Sequence, residues 1–375
     1  MALVPPHIQQ LAPYKAGKPA EELARELGLE RIVKLASNEN PLGPSPKALA
    51  AAATALAQSH RYPDPAAYEL RSALADRFQV DLENVITGSG SEGIMATILR
   101  TFLFSDDEMI SAANSFIGFR VLAHASGRRV HWIPMRDYHY DLPRLVQAIN
   151  DHTKIIYLAN PDNPTGTCFS SAEFEAFMAA VPERVLVILD EAYFEYARDR
   201  DDYPDSMRYR FDNVITLRTF SKAYGLAGLR VGYGFGHRDL IGNLLKVKLP
   251  FEPSRVAQSA ALAALGDHPF LESTLEANRT GMAMLTEALA GLGLELIPSK
   301  ANFVTLVLPS EAQAVALAGE LLKRGVILRH LGAFGWPTLV RASIGLAEEN
   351  EYLIEQLVDV LGEISNQRSA ISGQP

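Results

Sequence analysis

The run Arg218-Thr219-Phe220-Ser221-Lys222-Ala223-Tyr224-Gly225-Leu226-Ala227-Gly228-Leu229-Arg230 crowds two hydroxyls, a lysine and an arginine into one glycine-containing loop. Hydroxyls and a guanidinium together clamp a phosphate, and a lysine amine forms an imine with a carbonyl carbon. Most lysines are merely solvated, but the apolar flanks of this loop argue against that for Lys222. Upstream, the aliphatic stretch Val185–Leu189 ends in Asp190-Glu191-Ala192-Tyr193. A carboxylate ending such a strand costs on the order of several kcal/mol without a partner, so Asp190 calls for a cation or N–H groups. A protonated ring nitrogen would serve, with the Tyr193 hydroxyl three residues on. A helix cap or a metal ligand is the alternative reading; partners for neither stand nearby, and no metal site is expected.

Three further segments carry polar groups at similar places. Gly88-Ser89-Gly90-Ser91-Glu92-Gly93 joins a strand to a helix, where small residues let the backbone approach and free N–H groups hold a phosphate. It matches neither GxGxxG nor a lysine-bearing P-loop, and a plain capped turn explains it equally well. Asn160-Pro161-Asp162-Asn163-Pro164-Thr165-Gly166 is punctuated as a structured turn, with the Asn163 amide free to bond a ring oxygen. Arg341 lies inside the β-branched stretch Leu339–Ile344, where an arginine meets a carboxylate or phosphate bidentately or closes a structural ion pair.

The elements that must position these groups alternate in type. Helices are expected at Pro46–Gln58, Tyr68–Phe78, Ser91–Leu103, Gly118–Ala125 and Leu142–Ile149. Between and after them come strands at Asn84–Thr87, Glu108–Ser111, Val130–Pro134, Lys154–Leu158, Val185–Leu189, Asn213–Leu217 and Leu229–Gly234. Short apolar strands alternating with helices imply an α/β fold with a mostly parallel sheet covered on both faces. Ligands then bind outside the carboxyl ends of the strands, where all five segments fall. Residues 1–45, rich in proline, read as an N-terminal arm and small-domain segment with one helix at Ala20–Glu26. Residues 46–253 form the large domain, 254–364 a smaller α+β domain, and 365–375 a disordered tail.

Composition narrows the function classes. The 375 residues are 48% hydrophobic and 21% charged, with net charge −9, so no basic surface is offered to nucleic acid or anionic lipid. The single cysteine, Cys168, suits a reducing, cytoplasmic compartment. No signal peptide and no membrane span are expected.

Taken together, the segments resemble the fold-type-I pyridoxal-phosphate aminotransferases, and among them the histidinol-phosphate aminotransferases. The resemblance rests on Lys34–Pro46 (KLASNENPLGPSP), Arg61-Tyr62-Pro63-Asp64, Asn160–Gly166, Asp190–Tyr193, Arg218–Gly232, Ser299–Phe303 and Glu348-Glu349-Asn350, and it runs from about Leu11 to Leu361. It implies pyridoxal 5'-phosphate as cofactor and a large domain with a seven-stranded sheet. By the same resemblance Lys222 is the Schiff-base lysine, Asp190 the partner of the pyridine nitrogen, and Tyr193 and Asn163 the partners of the phenolic oxygen. Ser91, Glu92, Thr219, Ser221 and Arg230 match the phosphate cup, and Phe116 the ring that stacks on the pyridine. Tyr62 matches a tyrosine that reaches the neighbouring subunit's cofactor, which implies a homodimer with shared sites. Tyr14, Asn38 and Arg341 match substrate-facing positions, with Arg341 receiving the glutamate carboxylate.

The implied reaction is a ping-pong transamination between L-glutamate and imidazole acetol phosphate, giving 2-oxoglutarate and L-histidinol phosphate. The chain departs from the family at Ser91-Glu92-Gly93, where Asp-Glu is common, and at Asn114–Phe119, where many relatives carry a second tyrosine. The second departure bears on substrate preference. An aromatic or broad-range aminotransferase, or a decarboxylase of a phosphorylated amino acid, would use the same cofactor residues.

Overall fold

The computed structural model describes residues 3–12 and 20–372. Among them the strands form three sheets. In chain order these strands are β1 (Val33–Lys34), β2 (Val85–Gly88), β3 (Glu108–Ala112), β4 (Arg129–Ile133), β5 (Thr153–Ala159), β6 (Leu186–Asp190) and β7 (Val214–Thr219). There follow β8 (Gly232–Phe235), β9 (Glu295–Ile297), β10 (Phe303–Val307), β11 (Val326–Ile327), β12 (Arg329–His330) and β13 (Leu339–Ser343).

The large sheet has the order β2-β8-β7-β6-β5-β3-β4. The ladders from β7 through β6, β5 and β3 to β4 are parallel, and only β8 runs against its neighbours β7 and β2. Its strands are nearly continuous aliphatic runs because both faces are covered. Met109, Ile155, Tyr157 and Ile188 face one cluster with the helices Gly90–Phe102, Ile117–Ala125 and Arg238–Val247. Ile110, Ile156, Leu158, Val187 and Leu189 face another with Leu142–Gln147 and Ser171–Ala180. Each buried Ile or Leu in these layers contributes roughly 1.5–3 kcal/mol.

The expected strand Leu229–Gly234 is displaced. Ala227–Leu229 form a 3-10 turn, Arg230 takes a left-handed φ of 52°, and β8 starts only at Gly232. The chain has to reverse there to pair antiparallel with β7, and the turn uses up the first residues. The helices Ser171–Ala180 and Arg238–Val247 are additions to the expected set.

The smaller sheet, β12-β13-β10-β9, is antiparallel, and β1 pairs in parallel with β11 beside it. Val33 and Leu35 thereby join the core made by Leu306, Leu317, Val340 and Leu357. Leu328 separates β11 from β12. The helix Arg255–Leu265, within the segment expected to form the C-terminal domain, packs on Pro46–Leu56 and Tyr68–Phe78. Ala48 meets Ala257, Ala260, Ala261 and Ala264 in that cluster, and such small side chains let the helices approach closely. The last helix, Ala347–Ser372, runs through residues 365–372, where a disordered tail is expected. That stretch is polar but holds no Gly or Pro before Gly373, so nothing in its residue types stops a helix.

Candidate active site

The carboxyl ends of β5, β6 and β7 open on a cleft of about 130 Å³. It is lined by Ser91, Glu92, Phe116, Asn163, Asp190, Tyr193, Thr219, Ser221, Lys222 and Arg230, every cofactor residue expected from the sequence except Tyr62.

One end is built for an anion. The helix Gly90–Phe102 starts with N-cap Ser89, whose side chain makes no capping bond, so the first N–H groups, with Ser91 and Glu92, remain open to a ligand. Arg230 Nη1 donates to Ser221 Oγ at 3.3 Å, and Ser221 N donates to Thr219 Oγ1 at 3.1 Å. Gly90, at φ 73°, leaves room for this guanidinium: a Cβ there would lie 2.7 Å from Arg230 Nη2. Gly232 lies so close to the backbone of Gly90 and Ser91 that no side chain fits. These glycines draw the strand, the helix start and the arginine into one cup.

At the far end Asp190 is only 4% exposed. Its Oδ2 accepts from Tyr157 Oη at 2.8 Å and its Oδ1 from Ala192 N at 3.1 Å. Burial nonetheless pushes the carboxyl up to about 7, because two donors only partly replace water. A protonated ring nitrogen is the cation this carboxylate lacks. Glu191, next in the chain, points elsewhere: it pairs with fully buried Arg218, which also holds Asp205. Arg218, at the head of the lysine loop, therefore ties β6 to β7 and takes no part in the cup.

Between the two ends, Lys222 Nζ donates to Ser37 O at 3.2 Å and lies 5.8 Å from the Tyr193 ring centroid. Burial, with the charge of Arg341 second, lowers its ammonium to about 8. The Tyr193 hydroxyl accepts from Asn38 Nδ2 at 2.9 Å, which leaves its own proton to donate; burial pushes it up to about 12. Asn38 is itself pinned. Its N–H donates to Ser343 Oγ at 2.7 Å, Ser343 Oγ donates to its Oδ1 at 3.0 Å, and Asn302 Nδ2 donates to its carbonyl at 3.1 Å.

Arg341 comes from β13 and reaches the cleft's edge. It donates to Asn163 Oδ1 and, through Nη2, to Ala36 O at 3.0 Å, and it lies over the Phe303 ring. Two of its contacts are thus to amide oxygens. With its carbonyl end held by Arg341, Asn163 has its NH2 end to offer a ligand oxygen. Tyr62 is 76% exposed, stacks on Phe251 with ring centroids 4.3 Å apart, and lies outside this chain's cleft. Tyr14 falls outside the described residues. Sequence reasoning missed Tyr157, Ser343, Asn302 and the carbonyls of Ala36 and Ser37, which read as ordinary strand or arm residues.

An anion cup, a buried carboxylate, a lysine between them and an arginine at the rim fit the phosphate, ring nitrogen, aldehyde and substrate carboxylate of a pyridoxal-phosphate system. The chain belongs to the aminotransferases of class I and II, whose family model matches residues 30–357. Its relatives narrow the class. It is 46% identical over 363 residues to histidinol-phosphate aminotransferase 1 of Thiobacillus denitrificans, covering 96% of this chain and 94% of that one. It is 44% identical over 365 residues to histidinol-phosphate aminotransferase of Anaeromyxobacter sp., covering 96% and 100%. The crystal structure of histidinol-phosphate aminotransferase from Sinorhizobium meliloti in complex with pyridoxal-5'-phosphate superposes with a TM-score of 0.88 at 30% identity, covering 97% and 99%. Within its class the chain therefore falls in the histidinol-phosphate aminotransferase family.

Proposed function

We propose that this chain transfers the amino group of L-glutamate to imidazole acetol phosphate, releasing 2-oxoglutarate and L-histidinol phosphate in two half-reactions, with pyridoxal phosphate held in the cleft. The observation that carries this reading is the convergence of Lys222, Asp190 and Arg230 on one cleft with Arg341 at its rim. When bound, pyridoxal phosphate supplies an electron sink for the charge left at the substrate Cα once its proton is removed.

The chain's own residues do the rest. Arg230, the Ser221 and Thr219 hydroxyls and the N–H groups at Ser91 and Glu92 hold the phosphate. Asp190 accepts from the ring nitrogen, whose positive charge draws the carboxyl back down to its ionised form. Tyr193 and Asn163 donate to the ring oxygen, and Phe116 covers the ring. Lys222, with an ammonium near 8, is partly neutral at physiological pH, so Nζ would take the Cα proton and deliver it to the cofactor's C4′, on the other side of the imine nitrogen. The planar fork of Arg341 accepts either a carboxylate or a phosphate, as two alternating substrates demand.

The exposed Tyr62–Phe251 pair supports a homodimer in which each Tyr62 serves the other protomer's cleft. A biosynthetic reaction and a single thiol, Cys168, support a cytoplasmic location. The test adds glutamate, histidinol phosphate and phenylalanine separately to the cofactor-loaded protein and follows the cofactor's visible absorbance. Rapid conversion by histidinol phosphate with phenylalanine poor is expected. Conversion by phenylalanine alone would make this an aromatic aminotransferase.

A further inference from the structure

Two loops contribute walls to the cleft: the one after β3 carries Phe116, and the one after β5 carries Pro161 and Asn163. Their immediate neighbours, Ser115 and Asp162, are buried away from the cleft surface and meet each other. Ser115 Oγ donates to Asp162 Oδ1 at 2.5 Å. Asp162 Oδ2 accepts from Thr165 Oγ1 at 2.9 Å and from Thr165 N at 3.3 Å, which closes the turn around Asn163. On the other side, Tyr140 Oη donates to Ser115 Oγ at 2.7 Å and accepts from Ala159 N, at the end of β5, at 3.1 Å.

The direction of this chain follows from its terminus. Asp162 is 0% exposed, and burial raises its carboxyl to about 6, so at pH 7.5 it is ionised and only accepts. Ser115 must then spend its one proton on Asp162, Tyr140 must donate to Ser115, and the Tyr140 oxygen is left to accept from Ala159. An asparagine at 162 frustrates the arrangement whichever way its amide turns. With Nδ2 toward Ser115 the serine proton loses its acceptor, and with Nδ2 toward Thr165 two donors face each other.

We propose that Ser115 and Asp162 are positioning residues whose hydrogen bond straps the Phe116 loop to the Asn163 loop and so fixes the two contacts that confine the cofactor ring. The inference rests on the cofactor reading above. It assigns to the pair no contact with cofactor or substrate; they act through Phe116 and Asn163, and through Asn163 on Arg341.

The test is a titration of dialysed protein with pyridoxal phosphate, following the fluorescence of the two tryptophans, on wild type, Ser115→Ala, Ser115→Thr, Asp162→Asn and the double variant. Losing a hydrogen bond to a charged group is expected to weaken cofactor binding about ten-fold in Ser115→Ala. Thermal unfolding of cofactor-free Ser115→Ala should fall by no more than a few degrees, the cost of the partner that buried Asp162 and Tyr140 lose. Ser115→Thr, which keeps the hydroxyl, should bind as wild type does, and the double variant should bind no more weakly than Asp162→Asn alone. A Ser115→Ala affinity within about two-fold of wild type, or losses that add in the double variant, would overturn the strap. Should Asp162→Asn not fold, the Ser115→Ala and Ser115→Thr affinities decide alone. Wild type that takes up no pyridoxal phosphate would overturn the cofactor reading and this inference with it.

Discussion

Tyr157 on β5 and Asp190 on the adjacent strand β6 are joined by a hydrogen bond from Tyr157 Oη to Asp190 Oδ2 at 2.8 Å. The tyrosine ring is held independently, stacked on Phe119 with centroids 4.0 Å apart and planes 7° from parallel. Tyr157→Phe therefore removes the donor without moving the ring. The Tyr157 bond holds the Asp190 carboxyl down against burial, so its loss raises that carboxyl further. Affinity for pyridoxal phosphate should fall about ten-fold, and the acid limb of the kcat/KM profile should move to higher pH. Both are read from a cofactor titration and a pH series.

The same burial makes stability depend on pH. In the folded cofactor-free protein the Asp190 carboxyl lies at about 7, against 3.8 for the free side chain, and Glu195 also lies at about 7. From about pH 4 to about pH 7 the folded state thus binds more protons at these groups than the unfolded chain, and their contribution to stability falls as pH rises. Asp190→Asn removes one such carboxyl. Without cofactor, this variant should unfold at a higher temperature than wild type, with a gap wider at pH 8 than at pH 5, while transaminating negligibly. A gap that narrows with rising pH would contradict the assignment.

Lys222→Ala should abolish multiple turnover, by at least about 10³-fold, because Lys222 carries the one amine among the described residues that line the cleft. Arg341→Lys exchanges a planar fork for a point charge and should raise KM for glutamate about 10- to 100-fold with a smaller change in kcat. Steady-state kinetics separate the two effects.

Gly90→Ala puts a Cβ 2.7 Å from Arg230 Nη2 at a φ of 73°. The arginine must swing out of the cup, so binding of pyridoxal phosphate should weaken more than binding of pyridoxal, which has no phosphate. Equal losses for the two ligands would mean that Arg230 faces something else.

The proposed dimer has its own signature. Lys222→Ala and Tyr62→Ala homodimers should each be poorly active. If the tyrosine serves the partner's cleft, mixed dimers regain one complete site. Re-association of equal amounts should then restore about a quarter of wild-type activity, half the dimers being mixed with one working site in two. Activity no higher than the average of the two variants would mean that Tyr62 does not serve the partner's cleft.

Much of the site was legible because its residues are of the wrong type for their surroundings. Asp190 ends an aliphatic strand, Arg341 interrupts a β-branched one, and Lys222 stands between hydroxyls in an apolar loop. What could not be read were groups whose type suits their place. Tyr157 looks like any aromatic strand residue, and Ser115 and Asp162 like loop polars, until the fold brings them together. Among the elements, the helix Ser171–Ala180 carried a readable start, since Ser170 and Glu173 form a capping box. Arg238–Val247 did not: it is capped by His237, and residue types there give no start signal. The reversal at β8 was hidden because Gly232-Tyr233-Gly234-Phe235 reads the same in either direction of pairing.

Asn38 and Ser343 hold each other across 305 residues of sequence. During synthesis the arm bearing Asn38 leaves the ribosome early and must wait for nearly the whole chain before its anchor exists. The lysine loop and phosphate cup are translated in the interval, so the cup can form while the neighbour of Tyr193 is still loose. Completion of the reactive centre during synthesis thus has to wait until β13 has emerged. A ribosome stalled before β13 carries a nascent chain that has its nucleophile but not the frame that aims it.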